Sequence, residues 1–180
     1  YARQGFFELC GVAVINLGIA IFIWRFAQRK EGEDRLPLPL RLYTAVICLF
    51  TLLLIATALR KMLLYIDHYG LTPLRVYTSW FMALLGLVFL ALLLYQWLPR
   101  LPMAPVLTAV FLLMFGLLQF GRVDGWIARY NVEQYQSGQL KAVDVLLFYQ
   151  LSDEAVPYAA RLLEDSDPEV VEDVRVYLTS

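Results

Sequence analysis

Seven residues of chemical interest, Arg60, Lys61, Tyr65, Asp67, His68, Tyr69 and Arg75, fall within one stretch of sixteen. If that stretch is helical, Lys61, Tyr65, His68 and Tyr69 share a face, because they recur at i, i+4, i+7 and i+8. One cation, one imidazole and two phenols would then form a single stripe. Arg60 and Asp67 stand seven apart on a neighbouring stripe. Gly70 is a stop signal, and Thr72-Pro73 starts a new helix whose first turn holds Arg75. Such a set suits an anionic group, a lipid headgroup or a lipid-linked phosphate, with Arg60, Lys61 and Arg75 as charge and Tyr65 and Tyr69 as orienting donors. The same residue types also anchor helices at a membrane surface or form a structural contact with a neighbouring domain. Arg60 with Asp67 reads as a surface ion pair before an acid–base couple. His68 is the sole histidine, which excludes a multi-histidine metal site and leaves it proton acceptance as separate chemistry.

Other polar residues stand in unusual places. Glu8 is an ionisable group three residues into an apolar run that begins at Gly5; inside a span it is a functional candidate, whereas near the interface it simply reaches water. Asn16 lies deeper and is expected to hydrogen-bond a neighbouring helix, with Gly11 and Gly18, seven apart, letting that helix come close. Farther on, Asp124 and Arg129 are positioned to fix the angle at which the chain leaves its last apolar stretch, and Asn131 with Tyr135 makes an i, i+4 polar pair. The usual catalytic signatures are absent: no Gly-rich phosphate loop, no Gly-x-Ser-x-Gly, no His-Glu-x-x-His, no paired cysteines. Cys10 and Cys48 sit in apolar surroundings and read as free buried thiols. No catalytic residue, metal or cofactor is therefore assigned.

Composition dictates the elements that must hold these residues. Hydrophobic residues make up 60% of the 180 and charged ones 17%, against about a quarter charged in ordinary soluble domains. Runs 42–59, 76–98 and 101–121 contain no Asp, Glu, Lys or Arg over 18, 23 and 21 residues, and roughly 20 helical residues cross a bilayer core. Inside lipid each backbone group must be paired within its own segment, so these runs are read as helices. With the first apolar run, the expectation is an all-α integral membrane protein with four transmembrane helices, about 5–26, 41–60, 75–98 and 102–121, followed by a small soluble helical domain. The expected division is 1–121 and 122–180. No signal-peptide pattern surrounds the first run; the chain begins with Tyr1, so it is expected to be a piece of a longer protein with further spans left open. Residues 28–40, with Arg29, Lys30, Glu31, Glu33, Asp34, Arg35, Pro37 and Pro39, read as a solvated loop, and 98–102 as a tight turn.

Charge divides the chain in the same way. Residues 1–121 carry ten basic and five acidic residues, net +5, whereas 122–180 carry five and eleven, net −6. An acidic domain repels phosphate backbones, so nucleic acid is not an expected partner. Basic residues near the span ends number six on each side, so the positive-inside rule does not choose an orientation. Four spans nevertheless require residues 60–75 and the acidic domain to share a side. Within that domain, amphipathic helices are expected over 124–136, ended by Ser137-Gly138, over 140–151, over 154–164, and from Pro168 to about Leu178, where Asp167-Pro168-Glu169 is a strong start signal. Residues 155–178 look like one HEAT-type helix pair, with Val156, Ala159, Leu162 and Leu163 facing Val170, Val174, Tyr177 and Leu178.

Four segments together carry a family resemblance: Gly5-Phe6-Phe7-Glu8-Leu9; residues 62–75 with their Tyr-Gly-Leu-Thr-x-Leu-Arg core; Asp124 followed by Ala128-Arg129-Tyr130-Asn131-Val132-Glu133-Gln134-Tyr135; and Leu151-Ser152-Asp153-Glu154-Ala155-Val156-Pro157. In that order they resemble the bacterial multi-pass membrane proteins grouped as domain of unknown function 4173, or its relative 4153. The family pattern has an arginine before the methionine where this chain has Lys61, which keeps the charge and gives up bidentate geometry. The resemblance implies a membrane architecture and no activity. Localisation is expected in the bacterial inner membrane, with the lipid bilayer, a lipid headgroup or lipid-linked anion, and a protein bound by the C-terminal domain as partners. The function read from the sequence is an interaction or signalling module whose acidic domain docks at the membrane face beside residues 60–75. The rival is an enzyme or transporter acting on an anionic or lipid-linked substrate at the same residues.

Overall fold

The structure is a computed structural model that describes residues 2–26, 37–98 and 102–179, and the side chains of these except 2–7, 24 and 103. Most of the expected loop over 28–40, with Arg29, Lys30, Glu31, Glu33, Asp34 and Arg35, lies outside the described residues, as do Pro99 and Arg100 of the expected turn. All regular elements among the described residues are helical. Four long helices come first: α1 (Ala2–Phe26), α2 (Leu38–Tyr69), α3 (Pro73–Tyr95) and α4 (Met103–Phe120). On their own, α2 and α3 are long and apolar enough to cross a membrane. A third candidate is the pair Ala104–Phe120 and Val123–Gln136, which qualifies only jointly and is bent by 63° at its break, while Glu8–Ile23 is apolar but shorter. The described chain thus holds two or three candidate spans where four are expected.

Length explains what happens at the end of α2. Its 32 residues extend about 48 Å at a 1.5 Å rise, well beyond a hydrocarbon core of about 30 Å. The expected second span, 41–60, is continued by more than two turns of helix to Tyr69. The stretch that carries Lys61, Tyr65, His68 and Tyr69 is therefore helical, and the chain turns at residues 70–72.

The chain divides into two compact units: Tyr1–Arg60 with Trp80–Met114, and Lys61–Ser79 with Phe115–Ser180. In the first unit, buried positions recur at helical spacing: Ala13 and Ala20 on α1; Thr44, Cys48, Thr51 and Ile55 on α2; Met82, Leu85 and Phe89 on α3. Asn16 Nδ2 donates to Thr51 Oγ1 at 2.8 Å, the interhelical bond its depth suggests. Thr44 and Thr51 in turn donate to carbonyls four residues back, which pairs each hydroxyl inside the helix bundle. The expected role of Gly11 and Gly18 is not met: a Cβ at either would have nothing within 4 Å. The small residues that are buried are Ala13 and Ala20, also seven apart, which share the Asn16 side of α1. Opposite faces expose Val14, Ile15, Phe22, Val46, Phe50 and Leu53. An apolar surface of that extent is unfavourable in water and matches hydrocarbon.

In the second unit, α5 (Val123–Gln136) lies between two apolar clusters. Ile127 packs with Ile66, Leu71 and Leu147. Ala128 and Val132 pack with Val145, Phe148, Ala155, Ala159, Leu162 and Val174. The stop at Ser137-Gly138 is as expected: Gly138 has φ +75°, and the amides of Gly138 and Gln139 bond to the carbonyls of Tyr135 and Gln134. Next comes a departure. Residues 140–144 are not helical, and 145–150 form a 3-10 helix rather than the α-helix expected over 140–151. With three residues per turn, Val145, Phe148 and Leu151 align on one side, and all three belong to the larger cluster. The segment over 153–164 likewise alternates 3-10 turns with one α-turn, α6 (Val156–Ala159). Finally α7 (Pro168–Thr179) begins where expected, with Asp167 Oδ1 accepting the Glu169 amide at 3.0 Å. The expected apolar faces are corrected in detail: Ala155 is buried instead of Val156, and Leu163 is exposed.

Candidate functional site

The C-terminal end of α2, residues 70–72 and the start of α3 form a corner within the second unit. Gly70 ends α2 with φ +77°, a left-handed conformation that only glycine takes without cost. Its amide still bonds to the Ile66 carbonyl at 2.8 Å. Thr72 then caps α3, its carbonyl accepting from Val76 at 3.0 Å. Between these two helix ends Leu71 is buried, and its peptide groups need partners.

Asn131, on the buried side of α5, supplies them. Leu71 N–H donates to Asn131 Oδ1 at 2.7 Å, and Asn131 Nδ2 donates to the Leu71 carbonyl at 2.7 Å. The side-chain amide thus pairs with one residue's backbone as a neighbouring strand would. Asn131 is only 4% exposed, so little water competes for these bonds. The i, i+4 pairing expected between Asn131 and Tyr135 does not form. Tyr135 donates instead to Asp165 Oδ1 at 3.3 Å.

Arg75 closes the corner from its other side. Its Nη1 donates to the Tyr69 carbonyl at 3.0 Å and to the Gly70 carbonyl. Both carbonyls belong to the end of α2, where the macrodipole is negative and helical partners are missing. The guanidinium carbon also lies 5.4 Å from the Tyr65 ring centre. Arg75 is therefore a cap on α2, with Nη1 committed to backbone oxygens. Replacing it by Met is expected to cost about 1–2 kcal/mol, the scale of charge-assisted bonds discounted for partial exposure. A denaturation midpoint in detergent checks this, with Lys as a partial rescue.

The stripe expected along α2 does form. Tyr65 and Tyr69 rings are 4.7 Å apart and His68 packs edge-on against Tyr69 at 5.5 Å. Tyr65 is 44% exposed and Tyr69 62%, and Arg60, Lys61 and His68 are exposed as well. Asp67 is held by Tyr130, whose hydroxyl donates to its Oδ1 at 3.4 Å. The expected partnership of Asp124 with Arg129 gives way to two others: Asp124 Oδ2 accepts the Ser152 amide at 3.1 Å, and Arg129 pairs with Glu133 at 2.7 Å. Arg122, in a left-handed conformation at φ 49°, pairs with Glu154 at 2.9 Å. Glu8 is exposed. Among the described residues no group of three or more His, Cys, Asp or Glu could hold a metal ion.

Two tyrosine–carboxylate contacts give the unit a pH dependence. Burial, and then Asp67, push the Tyr130 phenol up; burial, and then Asp165, push up that of Tyr135. A native state that favours the protonated phenol keeps its full stability below about pH 10, the ordinary phenol value, and loses it as pH rises through the native pKa values. Protease resistance of the second unit is expected to fall above about pH 10. A Tyr130→Phe, Tyr135→Phe variant should show a flatter decline.

Sequence reasoning missed Leu71 and Tyr130 as partners, and the close approach at Gly70. The only available signal was the pairing of two motif segments, 69–75 and 128–135. No curated protein and no solved structure matches the chain. A family model described as Domain of unknown function (DUF4153) matches residues 1–162, which takes in the whole corner and its Asn131 lock and stops short of α7. The chain belongs to this family, the second of the two related families that its motifs resemble.

Proposed function

We propose that the chain is a multi-pass protein of the bacterial inner membrane, with four transmembrane helices, that works as an interaction module carried on its acidic domain, 122–180. The observation that carries this reading is the paired bond from Asn131 to Leu71. A domain fixed to a helix corner through backbone groups presents its remaining surface in one orientation. That surface is acidic: Asp144, Asp153, Glu164, Asp167, Glu169, Glu172 and Asp173 are all exposed. Its partner is a protein segment of basic character. The exposed Tyr65, His68 and Tyr69 suit the headgroup layer as anchors, and Arg60 and Lys61 suit anionic lipid there. The capping bonds of Arg75 support a structural role for the corner over one in substrate binding.

Two measurements test the reading. Single cysteines at Gly32 and Ser137 in intact cells should be labelled from opposite sides; labelling from one side would overturn four spans. A photo-crosslinker at Glu172 should capture a protein, and the product should be lost when Glu169 and Asp173 are replaced by Lys. Absence of any crosslinked protein would overturn the interaction role.

A further inference from the structure

A second polar corner lies in the first unit, at the other end of α2. Arg41 occupies the first turn of that helix, and its guanidinium carbon is 5.4 Å from the centre of the Trp97 ring. Trp97 and its neighbour Gln96 form the turn that ends α3, where their amides bond to Leu94 and Leu93. Arg41 Nε and, from the residue next to Trp97, Gln96 Nε2 are each buried with no hydrogen-bond partner among the described residues. Native structures leave few such groups, because a buried donor without an acceptor forfeits its hydration for nothing.

The missing partner can be specified. Both orphan atoms are donors, so the complement is an acceptor, and the guanidinium makes a negatively charged acceptor the best one. Arg41 directly precedes the charge-free run 42–59, and Gln96 and Trp97 close the run 76–98. These positions mark the level where hydrocarbon gives way to headgroups, and Trp97, 65% exposed, is the amphipathic type enriched there. The oxyanion found at that level is a phospholipid phosphate. Arg41 also adds positive charge to a helix start that is already positive, an arrangement that an anion relieves.

We propose that Arg41, Gln96 and Trp97 form a binding site for the phosphate of a lipid headgroup. Arg41 Nε and Gln96 Nε2 donate to its oxygens, and the Trp97 ring holds the guanidinium from one side. The site involves none of the residues of the proposed interaction surface and stands or falls separately.

The test uses the full chain in detergent micelles, with native mass spectrometry counting bound phosphatidylglycerol. Diacylglycerol is the lipid probe without phosphate, and inorganic phosphate is the probe without lipid. Wild type should retain phosphatidylglycerol and not diacylglycerol, with retention weakened about tenfold in Arg41→Gln and Arg41→Lys. Inorganic phosphate at matched concentration should displace little. Gln96→Leu separates two arrangements: loss of a donor to the phosphate lowers retention, whereas loss of a carboxamide that merely accepted from Arg41 frees the guanidinium and leaves retention undiminished. Trp97→Phe, which keeps a ring face, should retain lipid and migrate as wild type in gel filtration. Equal retention by wild type and Arg41→Lys would overturn the site. So would undiminished retention in Gln96→Leu. Full displacement by inorganic phosphate would overturn the lipid assignment.

Discussion

Replacing Asn131 by Ala is expected to destabilise the second unit by about 2–6 kcal/mol, since it leaves both the amide and the carbonyl of buried Leu71 without partners at about 1–3 kcal/mol each. Truncating a hydrogen-bonding side chain usually costs less, because water takes over. Here the site is closed: Asn131 and Leu71 are each 4% exposed, and the apolar groups of Ile66, Ile127 and Leu147 surround Leu71. Asn131→Asp should be no milder. A carboxylate can accept from the Leu71 amide, but it faces the Leu71 carbonyl with a second acceptor and buries a charge. Urea denaturation of the detergent-solubilised chain, followed by near-ultraviolet circular dichroism, reads the loss. Trypsin cleavage after Arg122 and Arg129 should accelerate in parallel, since Arg122 caps and Arg129 lies on the element that the lock holds. A cost under about 1 kcal/mol for both variants would mean that water reaches Leu71 and that the corner is not locked.

What could be foreseen and what could not divides along range in sequence. Charge-free runs are local, and they delivered the long helices. The Gly70 stop, the Thr72-Pro73 start and the Asp167-Pro168 cap are local as well, and all three appear at their expected positions. The helix expected over 140–151 failed because its apolar spacing is compatible with three residues per turn as well as 3.6, and packing of Val145 and Phe148 in the cluster with Ala128, Val132 and Val174 decides between them. The polar partners failed for a different reason. Asn131 finds Leu71 sixty residues away, Tyr130 finds Asp67, and Asp124 finds the Ser152 amide; spacing along one helix is silent about such pairs. Charge was also a misleading guide to what joins the acidic domain to residues 60–75. Ion pairs found among the described residues link Arg122, Arg129 and Arg175 to nearby Glu residues. The corner is joined to α5 by Ile66, Leu71, Ile127 and Leu147 and by a neutral amide. Surface charges suffer little desolvation and contribute little, so apolar burial and satisfied buried peptide groups dominate the contact.

Gly70→Ala should be at least as damaging as loss of Asn131, and a double-mutant cycle with Asn131 should reveal why. Two costs combine at this position. At φ +77° a Cβ costs about 1–2 kcal/mol from backbone crowding alone. In addition, a Cβ built there would stand 2.5 Å from Asn131 Oδ1, a separation that forces either the amide away from Leu71 or the corner out of shape. Displacing Asn131 forfeits the bonds that Asn131→Ala removes, so the total reaches about 3–8 kcal/mol. In an Asn131→Ala background the obstructing oxygen is gone. Gly70→Ala should then add only the backbone cost of about 1–2 kcal/mol, giving a coupling energy of about 2–6 kcal/mol between the two sites. Independent sites would give additive losses, and additivity would show that Gly70 serves its turn without regard to Asn131. Strong coupling would instead show that close approach of a Cβ-less residue is the condition under which one amide can reach both peptide groups of Leu71.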